Sequence, residues 1–263
     1  MAVLHHHEFG DAAGTPVLAV HGIGAHGRRW RRLGDERLTD RRVIAVDLRG
    51  HGRSTYDGPW SVPQHVTDLV DTLDATGVTA PVDVLSHSFG GVLALALLAR
   101  HPERVSRIVL LDPALGFPGD DSSAMALGVI EHPGWATVDE ALVARNSGFG
   151  DEIHPNVREE IDEHLVLGDD GRYRFRVHRP AVVTAWGELA LPIPAVPPVP
   201  TLLVPAAQAD FVTPGVESEL ANRFGTRLTT VRIDAGHLLY WERFDETADA
   251  VVDFLGDRPG RPG

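Results

Sequence analysis

The sequence predicts an α/β fold with a predominantly parallel sheet and flanking helices, and three observations lead to this class. Short apolar segments rich in β-branched residues recur along the chain and end at Gly, Asp or Pro, as strands buried on both faces do. Helical segments, amphipathic or wholly apolar, lie between them. Strand and helix therefore alternate, an order typical of parallel strands joined by right-handed crossovers.

The predicted strands occur in six places, the last with a weaker pattern than the others. They are Pro16–His21, Arg42–Asp47, Val82–Ser86, Arg107–Leu111, Thr201–Pro205 and Arg227–Ile233. Four helices are predicted between or after them, and the first repeats apolar residues at a spacing of three and four. These helices are Gln64–Thr76, Phe89–Arg100, Pro214–Phe224 and Glu246–Leu255.

The alternation breaks in residues 114–198. This segment has only weak helical patterns, at Val138–Arg145 and Val157–Leu167, and it ends in the proline-rich stretch Leu191–Pro200, which favours a stiff extended chain. We interpret the segment as a helical lid inserted over one end of the sheet; a packed helical layer without a gating role is the alternative. The core then comprises residues 1–113 and 199–263.

Composition limits the class of protein and its partners. The 263 residues suit one large α/β domain with an inserted lid, and the net charge of −13 disfavours nucleic acid and anionic membranes as partners. The chain has no cysteine, which excludes disulfides, thiolate metal sites and a cysteine nucleophile and fits a reducing compartment. We see no secretion signal and no apolar run long enough to span a membrane. We therefore expect a cytoplasmic monomer or homodimer that acts on a small molecule.

Neither a cofactor nor a metal is expected. The glycines of Gly22-Ile23-Gly24 and Gly27 lack the spacing of a dinucleotide-binding loop. The run His5–His7 is the nearest approach to a metal site, but adjacent histidines on a strand point to opposite faces and chelate poorly together.

A nucleophile is predicted at Ser88, between a buried strand and an apolar helix. The nucleophile elbow G-x-S-x-G needs a sharp turn that lifts the serine Oγ clear of the backbone, with small residues two positions away on either side. Gly90 meets this need on one side, and Ser86 replaces glycine on the other. We interpret Ser86 as a structural substitute and His87 as a packing residue beside the elbow.

A serine nucleophile needs a base and an orienting acid. His237 follows the last predicted strand in a glycine-containing loop, and Asp210 lies in the loop after Thr201–Pro205. The order Ser88, Asp210, His237 is the Ser, Asp, His order of the α/β-hydrolase motif. Each residue follows a strand, so a parallel sheet brings all three to one edge.

The oxyanion of acyl transfer needs backbone N–H donors. Phe89 follows the nucleophile at a helix N-terminus, where the helix dipole helps. The second donor is predicted to be Ile23, in the glycine-containing loop after an early strand, where the backbone can approach a ligand closely.

The chain resembles the α/β-hydrolase fold superfamily, in its lid-bearing serine hydrolase branch. The resemblance covers the predicted core, and it implies an eight-stranded-type sheet and catalysis without a cofactor. Two departures are Ser86 at the elbow and Ala207, where glycine is common before the acid. The matching motifs are His21-Gly22-Ile23-Gly24, Asp47-Leu48-Arg49-Gly50-His51-Gly52-Arg53-Ser54, the Ser88 elbow, Asp210 with Pro214, and Gly236-His237.

The resemblance also raises a competitor for the acid. Some members of the superfamily carry the acid after the strand that corresponds to Arg107–Leu111, which here would be Asp112. We favour Asp210, because in many members the residue at position 112 only anchors the start of the lid.

The predicted reaction is hydrolysis of an ester, lactone or thioester of a small, mainly apolar molecule. A serine nucleophile argues against the epoxide and haloalkane chemistry of members with an aspartate nucleophile. Cleavage of a C–C bond in a diketone, amide cleavage, cofactor-free halogenation and a slow-turnover receptor for a small molecule remain alternatives, because specificity lies in the lid and pocket.

Aromatic and apolar side chains are candidates for the substrate pocket. They are Trp30, Phe117, Trp135, Trp186, Phe211 and Leu238. One basic residue of the segment 114–198 could meet a substrate carboxylate, although a solvated face explains most of them better. These residues are Arg145, Arg172, Arg174, Arg176, Arg179, His154, His164 and His178.

Overall fold

A seven-stranded sheet runs through the computed structural model, which describes residues 2–256 of the chain. The order of its strands is β1-β3-β2-β4-β5-β8-β9, and all neighbours are parallel except β1 and β3. Strands β6 and β7 form a separate antiparallel pair. The strands are β1 (His6–Gly10), β2 (Thr15–Val20), β3 (Arg41–Val46), β4 (Val82–His87), β5 (Val105–Leu111), β6 (Leu165–Leu167), β7 (Tyr173–Phe175), β8 (Thr201–Val204) and β9 (Leu228–Thr230).

Ten α-helices accompany the strands in the described part of the chain. Helix α3 is almost wholly buried, as its nearly continuous apolar sequence requires, whereas α2 and α10 bury one stripe and expose the other. The helices are α1 (Arg31–Glu36), α2 (Val62–Ala75), α3 (Phe89–Arg100), α4 (Gly119–Glu131), α5 (Val138–Arg145), α6 (Pro155–His164), α7 (Arg179–Glu188), α8 (Pro214–Phe224), α9 (Leu239–Glu242) and α10 (Phe244–Gly256).

The sheet separates two hydrophobic layers, and strand β2 shows how. Its residues alternate between the layers: Leu18 and Val20 join the layer that contains α3, whereas Val17 and Ala19 join the layer that contains α10. All four side chains are fully buried. Burial on both faces explains why the strand is a continuous apolar run, and it confirms the predicted α/β class with a predominantly parallel sheet.

The sequence analysis missed the first strand. Residues His6–Gly10 pair antiparallel with β3 at the edge of the sheet. Their sequence, HHEFG, has no apolar run, because an edge strand needs to bury only part of its surface. The sheet has seven strands among the described residues, where the resemblance implied eight.

Residues 114–198 lie between β5 and β8 in the chain and contribute nothing to the main sheet. They contain α4 to α7 and the β6–β7 pair. Of the two predicted helical patterns, the first matches α5, and the second divides into α6 and β6 at His164. The weak apolar patterning of α4 and α7 left them unpredicted. Met1 and residues 257–263, which the sequence assigned to the core, lie outside the described residues.

The Asp47–Ser54 motif forms a buried turn after β3. The Asp47 carboxylate accepts backbone N–H groups from Gly27, at 2.7 Å, and Arg53, at 2.9 Å. Arg49 makes a two-pronged ion pair with buried Asp68 of α2, at 2.6 and 2.8 Å. The motif therefore ties β3 to the turn after β2 and to α2. Within residues 2–256, the helices are all too short or too polar to cross a membrane.

Candidate active site

Ser88 occupies a sharp turn between β4 and α3. Its backbone lies at φ 55° and ψ −122°, a region that costs non-glycine residues free energy and is found at functional turns. Gly90 allows the close approach of α3, because a Cβ atom there would lie 2.3 Å from the carbonyl oxygen of Val20. The Ser86 hydroxyl donates to the Val109 carbonyl at 2.7 Å, so this serine replaces glycine without being free to react.

His237 is bonded to Asp112. Its Nδ1 lies 2.5 Å from Oδ2 of Asp112, and the other carboxylate oxygen accepts the N–H of Ala206 at 3.1 Å. Asp112 is fully buried directly after β5, and its own N–H donates to Val204 in β8. The carboxylate is thus fixed by two strands, and it can hold the imidazole with Nδ1 protonated and Nε2 available as an acceptor.

The structure brings the competitor Asp112, and not Asp210, to His237. Asp210, which the sequence analysis favoured, is exposed in the loop after β8 and has no hydrogen bond or ion pair within the described residues. Asp112, the competitor, is the carboxylate that contacts His237. The order Ser, Asp, His could not discriminate, since both aspartates lie between Ser88 and His237.

His87 holds the loop of His237. Its Nε2 donates to the carbonyl oxygen of His237 at 2.8 Å, and the two imidazole rings lie 4.5 Å apart. Burial lowers the pKa of His87 well below its ordinary value, so the ring is neutral. The sequence analysis assigned His87 only a packing role. A polar residue beside the nucleophile was the available signal, but its partner lies 150 positions away.

The loop after β2 approaches the nucleophile closely. A Cβ atom on Gly22 would lie 2.8 Å from Cβ and 3.2 Å from Oγ of Ser88, so only glycine fits. The N–H groups of Ile23 and Phe89, the predicted oxyanion donors, have no acceptor within residues 2–256. Ile23 belongs to this loop and Phe89 is the first residue of α3, so the two N–H groups flank Ser88.

Two buried histidines fix that loop. His21 Nδ1 donates to the Gly22 carbonyl at 2.7 Å, and its Nε2 accepts the Leu48 N–H at 2.9 Å. His51 Nε2 accepts the Gly24 N–H at 3.1 Å. Burial lowers the pKa of His51 to about 4 and holds the pKa of His21 well below its ordinary value, so each neutral ring acts as one donor and one acceptor.

Ser88 and His237 line a cavity of about 480 Å³, a size that suits a small-molecule substrate. Ser88 and His237 lie on its sheet side, and residues 114–198 supply part of its opposite wall. The lining is formed by Gly22, Ile23, Gly24, Arg29, His87, Ser88, Trp135, Ala144, Arg145, Phe175, His237 and Leu238.

Only two of the six predicted pocket residues line the cavity in the described part of the chain. Trp135 and Leu238 line the cavity. Phe211 stacks on the ring of His237 at 4.0 Å, and Phe117 and Trp186 form an aromatic cluster behind it. Trp30 is a core residue, fully buried and stacked on Tyr240. Arg29 and Phe175 also line the cavity but were not among the predicted pocket residues, because their positions give no pattern in the sequence.

The sequence matches the profile of the "Alpha/beta hydrolase family" over residues 17–250, most of the chain. This chain belongs to the alpha/beta hydrolase family. It is 36% identical over 260 residues to Lipase LipV of Mycobacterium tuberculosis, which covers 97% of this chain and 98% of that protein. It is 28% identical over 254 residues to Esterase YbfF of Escherichia coli, 92% of this chain and 94% of that protein. This alpha/beta hydrolase is therefore an enzyme of the hydrolase class.

Two further comparisons define the range of similar proteins. A 2-hydroxymuconate semialdehyde hydrolase of a Pseudomonas species is 40% identical over 114 residues, 41% of this alpha/beta hydrolase and 40% of that protein. The structure of a marine microorganism esterase superimposes with a TM-score of 0.79, covering 97% of this chain and 100% of that one at 21% identity. At this identity the superposition establishes the fold alone.

One cluster of the alpha/beta hydrolase could hold a metal ion. Ligand atoms of His5, His7 and Asp47 lie within 4.8 Å of one another, and both histidine Nε2 atoms are buried without a hydrogen-bond partner. Adjacent histidines on a strand point to opposite faces, which is why no metal site was expected here. Residues two apart share a face, however, so His5 and His7 converge. None of the three is among the described residues that line the cavity of Ser88.

Proposed function

We propose that this enzyme hydrolyses a carboxylic ester, or a related lactone or thioester, with Ser88 as nucleophile, His237 as general base and Asp112 as the orienting acid. The observation that carries the proposal is the strained turn of Ser88 in a cavity shared with His237, whose Nδ1 is bonded to buried Asp112. Relatives named lipase and esterase along the whole chain support the same reaction class.

The proposed reaction runs in two halves. The Ser88 Oγ attacks the carbonyl carbon while Nε2 of His237 takes its proton, and the carbonyl electron pair moves onto the oxygen. The N–H groups of Ile23 and Phe89 stabilise this oxyanion. The intermediate collapses, the C–O bond of the leaving group breaks, and His237 returns the proton to that oxygen. A water molecule then attacks the carbonyl carbon of the acyl-enzyme while His237 takes its proton. The bond to Oγ breaks, the carboxylic acid leaves, and His237 returns the proton to Ser88.

Asp112 contributes by orientation and charge. Its buried carboxylate selects the tautomer in which Nε2 of His237 can accept a proton, and it stabilises the imidazolium that forms during attack. The ring of Phe211 covers one face of His237 and limits its rotation. The mechanism needs no cofactor.

We also propose that residues 114–198 act as a lid, since they supply Trp135, Ala144, Arg145 and Phe175 to the cavity wall. A packed layer that never opens would give the same wall, and only a rate of opening distinguishes the two. The acidic surface supports a small-molecule substrate rather than nucleic acid or an anionic membrane, and the absence of cysteine supports a cytoplasmic location.

Hydrolysis of a C–C bond is the second candidate. The observation that favours it is the 40% identity to a 2-hydroxymuconate semialdehyde hydrolase over 114 residues. The same nucleophile and oxyanion donors can serve such a substrate. Turnover of 2-hydroxymuconate semialdehyde itself, followed by loss of its absorbance, tests this candidate directly.

The first test is pre-steady-state hydrolysis of 4-nitrophenyl esters from acetate to octanoate. We expect a burst of nitrophenol as the acyl-enzyme forms, and a loss of at least about 10³-fold in turnover for Ser88→Ala. Ser86→Ala is the matched control, because its hydroxyl is committed to the backbone of β5. Equal turnover by Ser88→Ala and the wild type would remove Ser88 from the mechanism.

A further inference from the structure

Two arginines lie in the wall of the cavity that holds Ser88 and His237. Arg29 comes from the single turn Gly27–Trp30 before α1, and Arg145 is the last residue of α5. One belongs to the core and the other to the inserted segment, so both parts of the molecule place a guanidinium at the same cavity. The mechanism proposed above uses neither.

Both arginines share one carboxylate. Nε of Arg29 donates to Oε1 of Glu160, and Nε of Arg145 donates to Oε2 of the same residue at 2.6 Å. Glu160 is almost fully buried, with 5% of its side chain exposed. Neither arginine has a second carboxylate partner within the described residues. Two positive charges are therefore compensated by a single negative charge.

No other group at this point supplies the missing negative charge. His26, whose Nε2 lies 3.2 Å from Glu160, can carry only a positive charge, and burial keeps it neutral by lowering its pKa. It therefore neither adds to the surplus charge nor compensates it. The neighbouring glutamates of α6 serve the outer surface: Glu163 pairs with Arg28 at 2.7 Å, and Glu159 pairs with Arg31 at 2.9 Å. Asp112 is bonded to His237.

The surplus charge is held in an environment that disfavours it. The side chain of Arg29 is 5% exposed and that of Arg145 is 26% exposed. Burial and the charge of Arg29 both lower the pKa of Arg145, whereas Glu160, together with Tyr240, outweighs burial at Arg29 and raises the pKa of that residue, so the disfavoured charge is that of Arg145. A buried charge without a partner is costly, and an anion bound beside it removes that cost.

The two guanidinium groups are also fixed in place. Cζ of Arg29 lies 4.9 Å and Cζ of Arg145 5.6 Å from the centroid of the Trp241 ring, so one indole supports both. Each arginine bonds Glu160 through Nε, and Arg29 also interacts with the Tyr240 hydroxyl, whereas the terminal nitrogens of Arg145 have no acceptor within residues 2–256. A planar fork of N–H donors matches the two oxygens of a carboxylate.

We propose that Arg29 and Arg145 form a carboxylate subsite, so that the preferred substrate is an ester or thioester bearing a free carboxylate. This inference rests on the proposed hydrolase function and deepens it. The reacting carbonyl lies at Ser88, the carboxylate binds the terminal nitrogens of the two arginines, and Trp135, Phe175 and Leu238 contact the apolar part between them.

Matched ester pairs test the subsite and show which half of the substrate carries the charge. For the acyl half, 4-nitrophenyl hydrogen adipate is compared with 4-nitrophenyl methyl adipate, which has the same chain with its charge capped. For the alcohol half, 4-carboxyphenyl hexanoate is compared with 4-(methoxycarbonyl)phenyl hexanoate. We expect kcat/KM at low ionic strength to favour the anion about tenfold or more in at least one pair.

Arg145→Gln should lower kcat/KM for the anionic ester far more than for its neutral counterpart and so abolish the preference, whereas Arg145→Lys should keep part of it. Arg158→Gln is the matched control, because Arg158 is an exposed arginine of α6. A wild type that hydrolyses the neutral esters through Ser88 but prefers neither anion would overturn the subsite and leave the proposed function intact.

A binding measurement keeps the subsite testable if no ester is hydrolysed. Monomethyl adipate and dimethyl adipate are titrated calorimetrically into Ser88→Ala and into the Ser88→Ala/Arg145→Gln double variant. We expect the monoanion to bind Ser88→Ala at least about tenfold more tightly than the diester, and the double variant to lose this difference. Equal affinities in Ser88→Ala would contradict the subsite.

Discussion

The imidazole of His237 lies 2.5 Å from the carboxylate of Asp112, a residue 125 positions earlier in the chain and directly after β5. We expect Asp112→Asn to lower kcat by about 10³–10⁴-fold, because the amide no longer selects the tautomer of His237 that accepts a proton from Ser88. KM should change little, since Asp112 is fully buried and outside the cavity lining.

The matched control is Asp210→Asn, which changes the same atoms in the exposed aspartate of the loop after β8. Steady-state kinetics with one 4-nitrophenyl ester should show kcat within about twofold of the wild type. A large loss in Asp210→Asn together with a small loss in Asp112→Asn would return the acid to position 210.

Gly22 gives a second prediction, on the loop beside the nucleophile. In Gly22→Ala the new methyl group would lie 2.8 Å from Cβ of Ser88, so the loop must retreat and carry the N–H of Ile23 away from the oxyanion. We expect kcat to fall by at least about tenfold with the melting temperature nearly unchanged. Gly187→Ala, where a Cβ atom meets nothing within 4 Å, should retain full activity.

The buried histidines predict a loss of stability in mild acid. Burial holds the pKa of His51 at about 4 in the folded protein, whereas an unfolded histidine has a pKa of about 6.5. Between these values the unfolded chain binds a proton that the folded chain does not. Stability therefore rises with pH through this window, by about 1.4 kcal/mol per pH unit for each such histidine, and is lost as pH falls from about 6.5 to 4.

Urea unfolding at four pH values between 4.5 and 7.5 measures this dependence. His51→Gln retains a side-chain acceptor for the N–H of Gly24, and it should reduce the slope by about one proton. His101→Gln, at a side chain that is 38% exposed, should leave the slope as it is. An unchanged slope in His51→Gln would show that His51 is protonated in the folded enzyme.

The ion pair between Arg49 and Asp68 predicts a large effect on stability. Both side chains are buried and joined by two hydrogen bonds, so Asp68→Asn leaves an unpaired guanidinium inside the protein. We expect a loss of about 3–5 kcal/mol in the free energy of unfolding, measured by urea denaturation. Glu36→Gln, which breaks the exposed pair of Glu36 with Arg32, should cost less than about 0.5 kcal/mol.

The sequence sufficed for the parts of the fold that are encoded locally. Apolar runs predicted five of the parallel strands to within about two residues, because burial on both faces makes most positions of such a strand apolar. The turn at Ser88 could also be predicted, because it requires small residues two positions before and after the serine, here Ser86 and Gly90. Strand β1 was missed because its edge position imposes no such pattern.

The identity of the acid could not be settled by local pattern. Asp112 and Asp210 both follow a strand, both precede His237, and β5 and β8 are neighbours in the sheet. The choice depends on which carboxylate the loop of His237 reaches in three dimensions. The same limit applies to Arg29 and Arg145, which lie 116 positions apart and share Glu160 and Trp241 as partners. Two residues that share a partner distant in the chain produce no periodic pattern in the sequence.

Strand ends of the sheet carry Ser88 and Asp112, and the core loop after β9 carries His237, whereas Trp135, Arg145 and Phe175 come from residues 114–198. The proposed reacting groups thus come from outside residues 114–198, whereas the cavity wall draws on both parts of the chain, with Arg29 and Leu238 from the core. Mutations in the inserted stretch can change which molecule is accepted without disturbing the proposed reacting groups. A chimera with a foreign insert between β5 and β8 would therefore have to supply a carboxylate in place of Glu160, because Arg29 is buried against it.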